Sequence, residues 1–316
     1  MAEHPAVNRR VAGSSPAPGA AVSNPSVVAA FGALCIASSG VLVRLADSTP
    51  VTVAIFRCLY ALPVLGLITY LESRRLGALS SRSRNLAWIA GVFFAADLIF
   101  WHNAIAAVGA GLATVLGNLQ VLIVGFAAWA LLGERPHRTL FAAIPIVLIG
   151  VVLISGVVGE PYGDNPALGV VFGVATSLVY AAFILILRQG SGDLRRVAGP
   201  LFHATAAAAL VAILYGAVIG GAEWDPGWPE HGWLITLALT AQVAGWLLIS
   251  RSLPRLPAAI TSVILLLQPV GAMALASAAL GERPSVEQLV GAALILVGVV
   301  VATSGHRRRP VVEPLR

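Results

Sequence analysis

Ten apolar runs follow one another along the chain, each close to the about 20 residues that an α-helix needs to cross a bilayer. They span 27–46, 51–71, 86–108, 110–132, 139–158, 167–188, 199–221, 232–252, 257–280 and 285–304. A chain that is 58% hydrophobic and 11% charged over 316 residues cannot clothe such runs in a water-facing surface, so lipid must be its solvent. The runs are too long and too continuously apolar for the roughly 10-residue alternating strands of a membrane barrel. A helix also satisfies its own backbone polar groups inside hydrocarbon. The expected fold class is an all-α integral membrane protein with ten transmembrane helices.

Those runs come in two copies. The tetrapeptide Gly-Glu-Arg-Pro stands at 133–136 and again at 281–284, 148 positions on. At the same offset Gln120 falls on Gln268, Gly150 on Gly298, and the stretch IVLIGVV at 146–152 on LILVGVV at 294–300. One ancestral unit has been copied once. Five spans per copy is an odd number, so the second copy must enter the membrane facing the other way. Two inverted five-helix repeats result, with a pseudo-two-fold axis in the membrane plane. The expected divisions are a disordered cytoplasmic tail at 1–26, repeats at 27–158 and 167–304, an external linker at 159–166, and a basic cytoplasmic tail at 305–316.

Charge sorts along with these spans. Seventeen of the 20 arginines fall on one side of the expected topology, Arg44 and Arg283 fall on the other, and Arg57 lies within a span. The positive-inside rule then puts both termini in the cytoplasm, with the cytoplasmic (inner) membrane as the location. The opposite loops carry Asp47, Glu160, Asp164, Glu223, Asp225, Glu230, Glu282 and Glu287, with Trp224, Trp228 and Trp233 where an interfacial belt would sit. A net charge of +6 does not make this a nucleic-acid binder, because the arginines are short clusters beside spans with no soluble domain to organise them. Residues 1–26 lack the apolar core of a signal peptide. Cys35 and Cys58 lie inside spans without close spacing, so neither a disulfide framework nor a metal site is indicated. No phosphate-binding loop, zinc spacing or nucleophile motif stands out, which argues against an enzyme or an ATP-driven pump.

The duplicated pieces, Leu132-Gly133-Glu134 with Gly150 and Leu280-Gly281-Glu282 with Gly298, resemble the EamA branch of the drug/metabolite transporter superfamily across roughly 27–304. The resemblance implies a carrier that exports small polar metabolites, amino acids or toxic compounds. It names no cargo and carries over no substrate ligand. In each copy the glycine suits a left-handed helix cap and the following proline, Pro136 or Pro284, suits a helix start, so Glu134 and Glu282 are expected to belong to a turn device.

Polar residues at membrane depth are the candidate site. Asp97 is the only acidic residue expected so deep, and an ionised carboxylate there costs about 2.5–3.5 kcal/mol, so it must face a cavity or a partner. It is the candidate for exchanging a proton during transport. Arg57 enters the second span at a depth that brings an arginine fork within reach of Asp97 if the two helix faces meet. Structural pairing is the favoured reading, and a bidentate grip on a substrate carboxylate or phosphate is the other. Trp101 shares a helix face with Asp97, whereas His102 is rotated roughly 140° away. His102 and Asn103 therefore need form no relay with it. Gln120, Gln268 and Gln242 fall near mid-depth as neutral candidates, and Pro269 marks where an interrupted helix would expose backbone groups beside Gln268. Asn118 and Thr114 add polar groups on the fourth span, and Tyr180 and Trp246 are placed to line the inward half.

The functional expectation is a secondary transporter exporting a small organic solute by alternating access, with protons as candidate coupling ions, no cofactor and no nucleic-acid partner. The sequence leaves the oligomeric state open, since Gly169 with Gly173 and Gly216 with Gly220 suit contacts within a chain or between chains. A non-transporting sensor or scaffold that kept the carrier fold is the alternative.

Overall fold

The computed structural model describes residues 24–132, 138–190, 193, 195–252, 256 and 264–304. The first Gly-Glu-Arg-Pro motif, with Glu134 and Arg135, lies outside the described residues, as do 1–23 and 305–316. The described chain is helical throughout: α1 (Pro25–Ala37), α2 (Ser39–Leu45), α3 (Pro50–Leu76), α4 (Ser81–Val108), α5 (Ala110–Gly117), α6 (Gln120–Leu132), α7 (Arg138–Ile154), α8 (Pro166–Gly190), α9 (Ala198–Ile219), α10 (Glu230–Leu237), a π-helical stretch Ala238–Gly245, α11 (Trp246–Ser252), α12 (Leu267–Leu280) and α13 (Val286–Ser304). Joined end to end where they are continuous, these give eight helices long and apolar enough to cross a membrane, among the described residues. The helices α7 and α12 are apolar but shorter, at 17 and 14 residues. The expected span 257–280 is described only from Ile264 onward.

Helix ends follow local chemistry. Asn24 accepts from the Ser26 N–H at 3.0 Å with Pro25 opening α1, and Thr49 accepts from the Thr52 N–H at 3.3 Å with Pro50 opening α3. Ser80 does the same for α4 through the Ser83 N–H. Arg74 and Arg75 occupy the last turn of α3, where cations favour the negative helix end. Gly281 caps α12 at φ 67°, the left-handed conformation expected of it, while Pro284 precedes α13 rather than opening it.

Three of the expected spans are broken near their middles: 27–46 at Ser38, between α1 and α2, and two others at places that match in the repeat. The span 110–132 interrupts at Asn118 and Leu119, so that Gln120 begins α6. The span 257–280 interrupts at Leu266, immediately before α12, with Gln268 in its first turn. Pro269 also lies in that first turn, where its missing N–H removes no helical hydrogen bond. The interruption therefore lies ahead of Gln268, one step earlier than the proline alone suggests.

Small residues let the helices close on one another. Gly91 of α4 lies against the Ala204 carbonyl and Ala207 of α9, and Gly169 and Gly173 of α8 lie against Val108 and Leu116, so this pair serves contacts within the chain. Gly216 packs on Val51 and Ile55 of α3, while Gly220 ends α9 at φ 92°. Along these contacts α4 lies on α8 and α9, α3 on α9, α5 on α12, α1 on the π stretch and α11, and α7 on α13. The last pair is reciprocal: Gly150 faces the Gly291 carbonyl and Ile295, while its repeat mate Gly298 faces the Ala143 carbonyl and Val147, the repeat mates of those same partners. Large apolar side chains such as Leu148, Val171, Leu214 and Val218 remain on the outside, as on a bundle whose surface meets hydrocarbon.

Candidate functional site

Arg57 is 4% exposed on α3, inside the bundle. Its Nε donates to Gln242 Oε1 at 3.1 Å, and its guanidinium carbon stands 5.9 Å from the centre of the Trp101 ring. Gln242 is fully buried in the π-helical stretch and donates onward to Thr205 Oγ1 at 3.1 Å. A π-helical segment widens the backbone at one point, and here that point carries the amide that fixes the arginine. The Nη1 of Arg57 is buried without a hydrogen-bond partner.

Asp97, 8% exposed on α4, accepts a hydrogen bond from Thr176 Oγ1 on α8 at 2.6 Å. The same hydroxyl lies 3.0 Å from the Asp97 carbonyl oxygen. Among the described residues no ion pair joins Asp97 to Arg57. The favoured pairing of these two is thus not made: each charge is held by its own neutral partner, and depth arithmetic along two helices does not fix the lateral gap between them. Both nevertheless line one small cavity of about 90 Å³, together with Trp101, Thr114, Asn118, Gln120, Thr176, Tyr180, Trp246 and Gln268. Gln120 Oε1 is buried there without a partner.

Asn118, Gln120, Tyr180, Trp246 and Gln268 also line a larger cavity of about 470 Å³. It runs on past Ile184, Leu187 and Leu266 to Arg188, Asp193 and Arg196. Its walls are mostly apolar and its polar groups few, as in sites that hold small organic molecules. At the far mouth Asp193 accepts from the Arg195 side chain and backbone N–H, both at 3.0 Å, and these bonds hold its carboxyl down to about 2. Nearby, Glu72 at the end of α3 accepts from the N–H groups of Val197, Ala198 and Gly199, which tie α3 to the start of α9.

Glu282 stands at the start of α5, the helix whose Thr114 lines the small cavity. This carboxylate is buried and accepts from the N–H groups of Ala110 at 2.7 Å and Gly111 at 3.2 Å, the first two residues of α5. It thereby joins the start of the first-repeat helix α5 to the end of the second-repeat helix α12. Gln288 adds a second tie: its amide accepts from the Tyr162 N–H at 2.8 Å and donates to the Tyr162 carbonyl at 2.9 Å.

Of the residues singled out in the sequence, Asp97, Arg57, Trp101, Asn118, Gln120, Gln268 and Tyr180 come together around the cavities. Gln242 stands behind them and orients Arg57. His102 turns to the Pro50 carbonyl at 3.1 Å, and Asn103 donates to the Ile99 carbonyl of its own helix at 2.7 Å. Thr176 was not anticipated; the adjacent hydroxyls Thr176 and Ser177 in an otherwise apolar run were the available signal. Glu282 is expected from the sequence as part of a turn on the acidic outer face, not as the carboxylate that binds the start of α5.

A family model described as the EamA-like transporter family matches residues 25–156 and 167–304. This chain belongs to that family. It is a multi-pass integral membrane protein, and the family match covers both copies of the repeat. A Bacillus subtilis (strain 168) protein described as "Uncharacterized transporter YwfM" is 23% identical over 281 residues, covering 84% of this chain and 88% of its own length. A solved crystal structure shares the fold with a TM-score of 0.59 at 18% identity, covering 89% of this chain and 96% of its own.

Proposed function

We propose that this EamA-like protein is a ten-span secondary transporter that exports a small organic solute across the cytoplasmic membrane by alternating access. The observation that carries the reading is a pair of cavities that share Asn118, Gln120, Tyr180, Trp246 and Gln268: Asp97 and Arg57 line the smaller, Arg188 and Arg196 line the larger, and the Glu282 carboxylate bonds the start of α5, the helix whose Thr114 lines the smaller. Under the positive-inside rule the arginine end is cytoplasmic, both termini are cytoplasmic, and the conformation is inward-facing. The reciprocal contacts of Gly150 and Gly298 support two inverted repeats, because their register fits α7 and α13 crossing antiparallel about a two-fold axis. Rocking of the two halves about that axis would exchange which end is tied. Broken spans ahead of Gln120 and Gln268 suit a midplane site.

Asp97 is the proposed proton-coupling group, being a buried carboxylate that lines the cavity and holds a single hydroxyl partner. Comparing intracellular and extracellular metabolites in cells with and without the protein should reveal the cargo as a solute retained when the protein is absent. Purified protein in liposomes should then move that solute, and an imposed pH gradient should drive it. Asp97→Asn should remove the pH-driven component while leaving folded protein abundant. Binding of the cargo without flux would favour a sensor instead, and normal pH-driven flux by Asp97→Asn would remove Asp97 from coupling.

A further inference from the structure

We infer that α3 and α9 form one rigid strut, tied at both of its ends, that stays closed through the transport cycle and acts as the fulcrum on which the other helices turn. This deepens the export reading and rests on it for the existence of a second conformation. At the inner end each helix is capped by a charge from the other. Glu72 of α3 accepts from the N–H groups of Val197, Ala198 and Gly199 at the positive start of α9, at 3.1, 3.1 and 3.0 Å. Arg196, just ahead of α9, donates to the Leu76 and Gly77 carbonyls at the negative end of α3. At the outer end the Glu223 N–H, beyond the end of α9, donates to Thr52 Oγ1 of α3 at 2.7 Å, and the Thr49 hydroxyl donates to the Gly221 carbonyl. Between the ends a glycine late in each helix faces a larger side chain from early in the other: Gly66 meets Phe202, and Gly216 meets Val51 and Ile55.

A pair tied in this way need not change when the rest of the protein does. The helices α3 and α9 are the second spans of their repeats, and their first residues, Pro50 and Ala198, stand 148 positions apart like the duplicated tetrapeptides. The pair is therefore its own mate. Exchanging the conformations of the two repeats turns an inner-end contact into an outer-end contact and the reverse. Thr49, which makes an outer tie, is at that offset the mate of Val197, which makes an inner one. Because both ends are already tied, the exchange returns the arrangement it started from. The contrasting pair is α5 with α12: Glu282 joins them at one end, while Gln120, at the start of α6, and Gln268 of α12 line the larger cavity. Arg57 stands on the strut and is linked through Gln242 to Thr205 of α9, so it keeps its place while the walls around it move.

Spin-label pairs in the full-length protein, with Cys35 and Cys58 replaced, test this. Labels at positions 75 and 195 read the inner end of the strut, labels at 48 and 218 its outer end, and labels at the exposed positions 106 and 277 the junction of α4 and α5 with α12. Adding Glu282→Gln should lengthen the third distance by about 5 Å or more and leave the first two within about 2 Å of their starting values. Removing the inner tie as well, with Glu72→Ala and Arg196→Ala, should let the inner pair spread while the outer pair holds. Either strut end moving with the third pair overturns the fulcrum, as does an inner end no looser without its tie, and the first comparison decides alone if the stripped variant does not fold. Three unchanging distances overturn it too, since a body that never moves turns on nothing. The two readings separate on flux: steady ends beside a moving third pair, in a protein that carries no solute in liposomes, sink export and keep the fulcrum, whereas spreading ends in a transporting protein do the reverse.

Discussion

Replacing Glu282 by glutamine should loosen the junction of α5 and α12 without disturbing the protein's helices. In the native arrangement both carboxylate oxygens accept N–H groups at the positive end of α5, from Ala110 and Gly111. Glutamine is nearly the same size but offers one acceptor and one donor, so one of the two N–H groups meets another donor. The lost interaction is a hydrogen bond to a charged acceptor, worth about 1.5–3 kcal/mol, with a smaller loss from removing negative charge at a helix N-terminus. A difference of that size shifts the ratio of closed to open states by roughly ten- to hundredfold. Thr114 reports it, because it lies one turn along α5 from Ala110 and lines the small cavity. In a protein with Cys35 and Cys58 replaced, a single cysteine at position 114 should react with a membrane-impermeant maleimide from the Glu282 side about tenfold faster or more once Glu282→Gln is added. Reaction rates within twofold of the parent, in protein that still unfolds cooperatively, would refute a latch role for this carboxylate.

Gln242→Leu strips Arg57 of the acceptor on its Nε and should destabilise the protein by about 3 kcal/mol, since a buried charge loses its partner; thermal unfolding in detergent measures it. Gly109→Ala places a methyl 2.9 Å from Glu282 Oε2 at φ 87°, whereas Gly77→Ala, at φ 81°, meets open space. Both should cost roughly 1 kcal/mol of backbone strain, and only Gly109→Ala should also speed labelling at position 114. Asp193 is held below its ordinary 3.8 at about 2, so its bonds to Arg195 are fully present above about pH 4 and fade as the pH falls through 2. Asp193→Asn at neutral pH should mimic the acid state, read as faster hydrogen exchange of the Arg195 amide.

What was legible in the sequence follows from what each signal encodes. Apolar runs report burial in lipid, so the helices and most of their limits were readable, and Gly281 was readable as a left-handed cap because its neighbours end one helix and begin another. Of the polar residues picked out by their place along the spans, Asp97, Arg57, Trp101, Gln120 and Gln268 line one cavity. Lateral geometry was not readable, since it depends on how neighbouring helices rotate and cross. That is why the expected contact of Arg57 with Asp97 is replaced by Gln242 on one and Thr176 on the other. Glu282 was hidden for a different reason. Its partners are backbone N–H groups 171 and 172 positions away, and a backbone donor leaves no residue-type signature. The π-helical stretch around Gln242 was equally silent, because its apolar composition suits an ordinary helix.

Alternating access by this protein requires the two repeats to separate at the Glu282 end during each transport cycle. Gly111 and Met273 test it, because they face each other across that end on α5 and α12, with a Cβ built at Gly111 lying 3.5 Å from the Cβ of Met273. Cysteines at both positions, in a protein without Cys35 and Cys58, sit within disulfide range. Oxidation should stop flux of the identified cargo in liposomes and reduction should restore it. Undiminished flux through fully cross-linked protein would contradict the account.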